Sequence, residues 1–75
     1  MMKYSVTTAT VINEGILRGH PSKSFWFLKN AIKHFEERSS MPGDFMSVVL
    51  FNRKGDRLRS HEPRGTFYSH LNKEG

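Results

Sequence analysis

The sequence predicts an α+β domain: an antiparallel sheet of four to five strands with one helix packed on one face. Three observations carry that expectation. β-Branched residues alternate with period two near the N-terminus, an apolar β-forming run lies past the middle, and one stretch between them has helical period. An Asn with a Gly two residues later in one flanking region, and three residues later in the other, then closes a turn in each. The expected order is β-β-α-β-β, in a single domain covering residues 1–75.

Tyr4, Val6, Thr8, Thr10 and Ile12 alternate with Ser5, Thr7, Ala9 and Val11, the pattern of a half-buried strand. Asn13-Glu14-Gly15 carries hairpin-turn chemistry, so the apolar pair Ile16-Leu17 begins a short return strand before Gly19-His20-Pro21 breaks it. From Ser22 the pattern turns helical. Residues 22–38 hold no Gly or Pro, Ser22 or Ser24 can serve as N-cap, and Phe25, Leu28, Ile32 and Phe35, widened by Phe27 and Ala31, form a core-facing stripe. Ser39-Ser40 ends the helix, and Met41-Pro42-Gly43-Asp44 places Pro and Gly as a type II turn prefers.

Residues 45–51, FMSVVLF, form the strongest strand, joined through Asn52-Arg53-Lys54-Gly55 to a second strand over 56–61. A two-residue Lys54-Gly55 loop would force Lys54 to positive φ, which a side chain disfavours. A type I turn ending in a glycine bulge, with Asn52 first and Gly55 in the left-handed region, is the better choice. Asn52 then faces Asp56, Phe51 faces Arg57, Leu50 faces Leu58 and Val49 faces Arg59. In this register Met46, Val48, Leu50 and Leu58 meet the helix, while Phe45, Ser47, Val49 and Phe51 share the opposite face with Arg57, Arg59 and His61. Residues 63–75 are expected to add a short edge strand through Thr66-Phe67-Tyr68 or to form a flexible tail; a helical turn capped by Thr66 is the alternative.

The second sheet face would combine flat rings and guanidinium groups, the combination that stacks on bases and meets phosphate. RNA-binding sheets use this physical plan, but neither their aromatic signature strings nor their element order is found here. The plainer alternative is a second small core in which Phe67, Tyr68 or another subunit covers Phe45 and Phe51. Trp26, placed by a 100° step opposite the core stripe beside Lys29, Asn30 and Lys33, is a large aromatic among lysines and a candidate stacking or anchoring residue.

A net charge of +5 and a pI near 10.0 favour polyanionic partners. The absence of cysteine excludes disulfides and thiolate metal sites. His20, His34, His61 and His70 show no i, i+3 or i, i+4 pairing, so no metal or other cofactor is expected; convergence of His61-Glu62 with His70 is the weaker alternative. No nucleophile, base and stabiliser recur at catalytic spacing, so the chain is not expected to be an enzyme. No apolar run approaches the ~20 residues that span a bilayer, and no signal peptide is recognisable, which sets a cytoplasmic, non-membrane protein as the expectation.

The expected function is a small basic binding module for nucleic acid or a nucleic-acid-containing complex. Lys29, Lys33, Arg53, Lys54, Arg57, Arg59 and Arg64 would meet phosphate, with Trp26, Phe45 and Phe51 as stacking or partner surfaces. The alternative is an adaptor or inhibitor that binds an acidic protein surface, and a homodimer through the second sheet face is a third reading.

Overall fold

The computed structural model describes residues 3–40 and 43–72. Its elements are β1 (Tyr4–Asn13), β2 (Ile16–Gly19), β3 (Lys23–Phe25), α1 (Leu28–Ser40), a 3₁₀ turn (Gly43–Phe45), β4 (Met46–Phe51), β5 (Arg57–His61) and α2 (Phe67–Asn72). The expected α+β architecture is present: five strands form one antiparallel sheet in the order β2-β1-β4-β5, with β3 also paired to β1. No described helix is long and apolar enough to cross a membrane.

β1 is the spine of the sheet. β4 lies along one of its edges, and β2 and β3 follow one another along the other. Ala9 pairs with Gly19 and Val6 with Lys23, so His20, Pro21 and Ser22 stand opposite only Thr7 and Thr8, which makes a one-residue bulge. Proline is tolerated there because an edge bulge asks for no ladder hydrogen bond from it. The His20 amide still donates to the Thr8 carbonyl at 3.0 Å, and the Thr7 and Ser22 hydroxyls lie 3.1 Å apart.

This edge overturns the expected helix start. Residues 23–25 form a strand, and α1 begins at Leu28 with neither Ser22 nor Ser24 as its cap. The physical reason is long-range: without β3, the backbone groups of Tyr4–Val6 would face an open edge, and pairing satisfies them on both chains. The fifth strand thus comes from this segment and not from residues 66–68.

Val6, Val48 and Leu50 are fully buried and join Met46, Phe45, Ala31 and Phe35 in the core. Val6 faces Leu50, Thr8 faces Val48 and Thr10 faces Met46, so one face of the β1–β4 pair meets Ala31 and Phe35 of α1. Ile32, Tyr4, Phe25 and Phe67 pack around that centre.

The second hairpin has the expected turn. Gly55 sits at φ 90°, its amide donates to the Asn52 carbonyl at 3.1 Å, and the Asn52 amide reaches the Asp56 carbonyl at 2.8 Å. The Asn52 Oδ1 accepts from the Lys54 and Asp56 amides at 2.8 and 2.9 Å, which explains why an Asn occupies the first turn position. Phe51 pairs with Arg57 as expected, but Leu50 then pairs with Arg59, because a bulge after the first rung shifts the register by one. Arg59 and His61 therefore lie on the helix face, and Leu58 moves off it to 45% exposure.

Phe45 also departs from the expected strand. It closes the 3₁₀ turn, is buried, and packs edge-on against Phe67 with ring centroids 5.2 Å apart. Phe67 does cover Phe45, but within the main core beside Met46 and Val48 and not in a second small core shared with Phe51. Residues 67–72 are helical and not an edge strand: the Thr66 hydroxyl accepts from the Ser69 amide at 3.0 Å, and the Ser69 hydroxyl accepts from the Thr66 amide at 3.2 Å, a reciprocal cap. The Met41-Pro42 half of the expected type II turn and the side chain of His70 lie outside the described residues.

Candidate aromatic and cationic binding surface

Three separated pieces of chain meet at one end of the sheet. Phe25 pairs with Tyr4, so the chain leaving β3 through Trp26-Phe27 emerges beside the start of β1. Phe51 pairs with Ser5, so the β4–β5 turn emerges at the same end. Arg53, in that turn, donates from Nη2 to the Trp26 carbonyl at 2.9 Å, and its guanidinium lies 5.2 Å from the Tyr4 ring centre. Lys3 places Nζ 4.5 Å from the Trp26 ring centre, within cation–π range.

Trp26 is 50% exposed and Phe27 67% exposed, next to the partly exposed Leu28. Phe27 is also the residue whose carbonyl accepts the first helical bonds, from Asn30 and Ala31, each at 3.2 Å. That position favours Ser, Thr, Asp or Asn by about 1 kcal/mol over an apolar side chain. Two local rules are broken side by side, since large apolar rings face water and an aromatic stands where a polar cap is preferred. Such departures concentrate at functional sites.

The structure sorts the sequence-derived candidates. Trp26 and Arg53 come together, with Lys54 exposed in the same turn. Trp26 lies in the bend before α1 and not on its polar face, so its cation is Lys3 and not Lys29 or Lys33, which remain exposed on the helix. Phe51 and Arg57 share the second sheet face. Arg59 does not join them: its Nη1 lies 3.9 Å from Glu36 on α1, an exposed pair of small energetic weight. Phe45 is taken by the core, and Arg64 lines a cleft beside Gly43, Asp44 and His61 with its amide donating to the Asp44 carbonyl at 2.8 Å. Lys3, Tyr4 and Phe27 are the residues that sequence reasoning missed. The signal for Phe27 was the consecutive run Phe25-Trp26-Phe27, since three adjacent rings cannot all enter one helical stripe.

His61, His20 and His34 each make a local contact. His61 Nε2 lies 2.8 Å from the Gly43 carbonyl, and His20 Nε2 lies 2.7 Å from the Thr10 hydroxyl. No group of three or more His, Cys, Asp or Glu among the described residues could hold a metal. His34 packs on Phe25 with ring centres 5.3 Å apart, and its pKa is lowered by burial first and then by Arg38 and Lys23, with Glu37 opposing.

A histidine with a lowered native pKa binds fewer protons folded than unfolded. Its contribution to stability is therefore present above the unfolded value, about 6.5, and is lost as pH falls through the native value. The urea midpoint is expected to drop between about pH 7 and pH 5, and His34→Gln to flatten part of that drop. An unchanged pH slope in the variant would remove His34 as the cause.

The chain matches no family model, no curated protein and no solved structure. Its class is accordingly the one its fold and surface define: a small basic α+β domain with an aromatic and cationic end.

Proposed function

We propose that this protein is a non-catalytic binding module for nucleic acid, engaged at the surface formed by Lys3, Tyr4, Trp26, Phe27 and Arg53. The observation that supports this most is the exposed Trp26-Phe27 pair flanked by two cations from distant segments. Exposed rings stack on unpaired bases at about 1–3 kcal/mol per base, and neighbouring cations meet the phosphates between them. The net charge of +5 adds attraction over a longer range. The reading sets the protein in the cytoplasm, bound to single-stranded nucleic acid or to a complex containing it, with Lys54 and Arg57 extending the cationic surface.

A specific feature also favours the protein-directed alternative. Trp26, Phe27 and Leu28 are three exposed apolar residues in succession, which would suit an adaptor or inhibitor whose aromatic anchors enter a pocket on an acidic target. The homodimer through the second sheet face is weakened, since Phe45 is already packed on Phe67.

Trp26 is the only tryptophan, so its fluorescence reports directly on the surface. Single-stranded oligonucleotides are expected to quench it saturably at low salt. With three phosphates neutralised, affinity should fall roughly tenfold to twentyfold between about 50 and about 200 mM salt. An unresponsive tryptophan at low salt sinks the nucleic-acid reading and leaves the protein partner.

A further inference from the structure

A second feature lies on the other side of the molecule's β3–α1 seam and is independent of the aromatic surface. Thr8, His20, Pro21, Lys23, His34, Arg38 and Met46 line a cleft of about 250 Å³ between the bulged edge and the second half of α1. That volume falls below the ~300–1,000 Å³ of sites for drug-sized ligands. Its size suits a small ligand, and its charged lining is dominated by cations.

The floor of the cleft carries an unusual group. Thr8 is only 5% exposed, and among the described residues nothing hydrogen-bonds its hydroxyl. No described polar side-chain atom is both sealed from solvent and unpartnered, so this hydroxyl must look out through the cleft that Thr8 lines. It is a nearly buried donor with no acceptor among the described residues.

His20 is held at the rim by a specific chain of contacts. The Thr10 hydroxyl donates to Met46 Sδ at 3.3 Å, so its oxygen receives the His20 Nε2 proton at 2.7 Å. That assignment has His20 donate from Nε2 and fixes the orientation of its ring at the rim. Lys23 from β3 and Arg38 from α1 stand on opposite walls, with His34 between them.

Each cation has an ordinary role taken singly. Lys23 protects a sheet edge, and Arg38 complements the C-terminal end of α1. Neither role explains why both converge with two histidines on an unpartnered hydroxyl.

We propose that this cleft is an anion site that takes a phosphoryl group, with Lys23 and Arg38 as its charged clamps and the Thr8 hydroxyl as a donor at its base. Arg38 and Lys23 supply directional charge-assisted hydrogen bonds, and His34 adds to them when protonated. Among the described residues, the opposing group acting on His34 is Glu37, on the same helix. With Glu37 offsetting one of the two fixed cations, binding strengthens as His34 protonates, and a bound anion draws a proton onto it. The pKa of His34 is lowered by burial first and then by Arg38 and Lys23, with Glu37 opposing, which agrees with both cations lying near its ring.

The test is a titration of the isotope-labelled full chain with inorganic phosphate, read from the imidazole resonances of His20 and His34 and the methyl of Thr8. All three are expected to move saturably, with a midpoint that falls severalfold when pH is lowered from about 7.5 to about 6. Lys23→Ala and Arg38→Ala should each weaken binding at least fivefold, and Thr8→Val should weaken it without unfolding the chain. Equal shifts from chloride at matched ionic strength, or undiminished binding in the Lys23→Ala/Arg38→Ala double variant, would overturn the proposal.

Two further probes distinguish the source of the phosphoryl group. A 5′-mononucleotide that competes with phosphate while an unphosphorylated oligonucleotide does not assigns the site to a phosphomonoester. Competition by that oligonucleotide assigns it to the backbone of a strand. Either pattern can be obtained with Trp26→Ala, so failure of the aromatic surface and failure of the cleft are separable.

Discussion

Leu50→Ala is expected to unfold most of the protein, whereas Leu58→Ala should leave it nearly as stable as before. Both leucines lie in the same hairpin, and the simplest register would place them opposite one another on the core face. The bulge separates their fates. Leu50 pairs with Arg59, faces Val6 across β1 and is fully buried, while Leu58 is the extra residue of β5. Truncating a buried leucine costs roughly 2–5 kcal/mol, through lost transfer energy and the cavity that remains. A domain of this size has roughly 3–5 kcal/mol in total from one core, so the variant would sit at or beyond its folding threshold. An exposed leucine away from special backbone geometry changes stability by about 0.5 kcal/mol. Urea titrations of the two variants decide the matter: similar midpoints would mean that the strand pairs without the bulge, and that Arg59 belongs beside Phe51.

That pair of leucines also marks the limit of what the sequence makes legible. Period-two alternation identified β1 and β4 because each has one face against the helix, and the Asn52/Gly55 chemistry identified the turn because it is local. The bulge one rung later has no local signature in Arg57-Leu58-Arg59, since either register exposes some cation and hides some apolar surface. The same distinction explains residues 22–25. Their helix-compatible composition is a weak preference, and the free edge of β1, set far away in sequence, decides against it. The second hidden element, α2, was readable in principle from Thr66 and Ser69, whose reciprocal hydrogen bonds are a local cap.

The candidate surface follows the same logic in reverse. Trp26 stood out in the sequence because of its size, but its partners could not be found by stepping around a helix that begins two residues later. Lys3 and Arg53 reach it only because β1, β3 and the β4–β5 turn end together. Phe45 and Arg59 show the opposite error. Both are plausible binders on an ideal strand, and both are removed by small irregularities, a 3₁₀ turn and a bulge.

Truncating the two exposed rings is the strongest functional test that this geometry offers. Trp26→Ala and Phe27→Ala should each weaken single-strand binding by about 1–3 kcal/mol, roughly fivefold to more than a hundredfold, if each ring carries a stacked base. Neither should reduce stability much, because both side chains are largely solvent-facing. Replacing Phe27 by Ser should preserve the loss of binding while supplying the polar cap the helix lacks, so binding and stability would move in opposite directions. Arg53→Ala has a different signature. It removes a cation, which lowers the salt slope by about 0.7, and releases the Trp26 carbonyl, which loosens the ring's mounting. Ile16 and Leu17 provide the control, being exposed apolar residues at the opposite hairpin tip, where truncation should leave oligonucleotide affinity unchanged. If the Leu17→Ala loss equals that of Trp26→Ala, attraction to the chain is diffuse and the aromatic end is not a site. If neither ring affects oligonucleotide affinity but both are needed to retain a protein in a nuclease-treated pull-down, Trp26 and Phe27 are anchors for a protein partner.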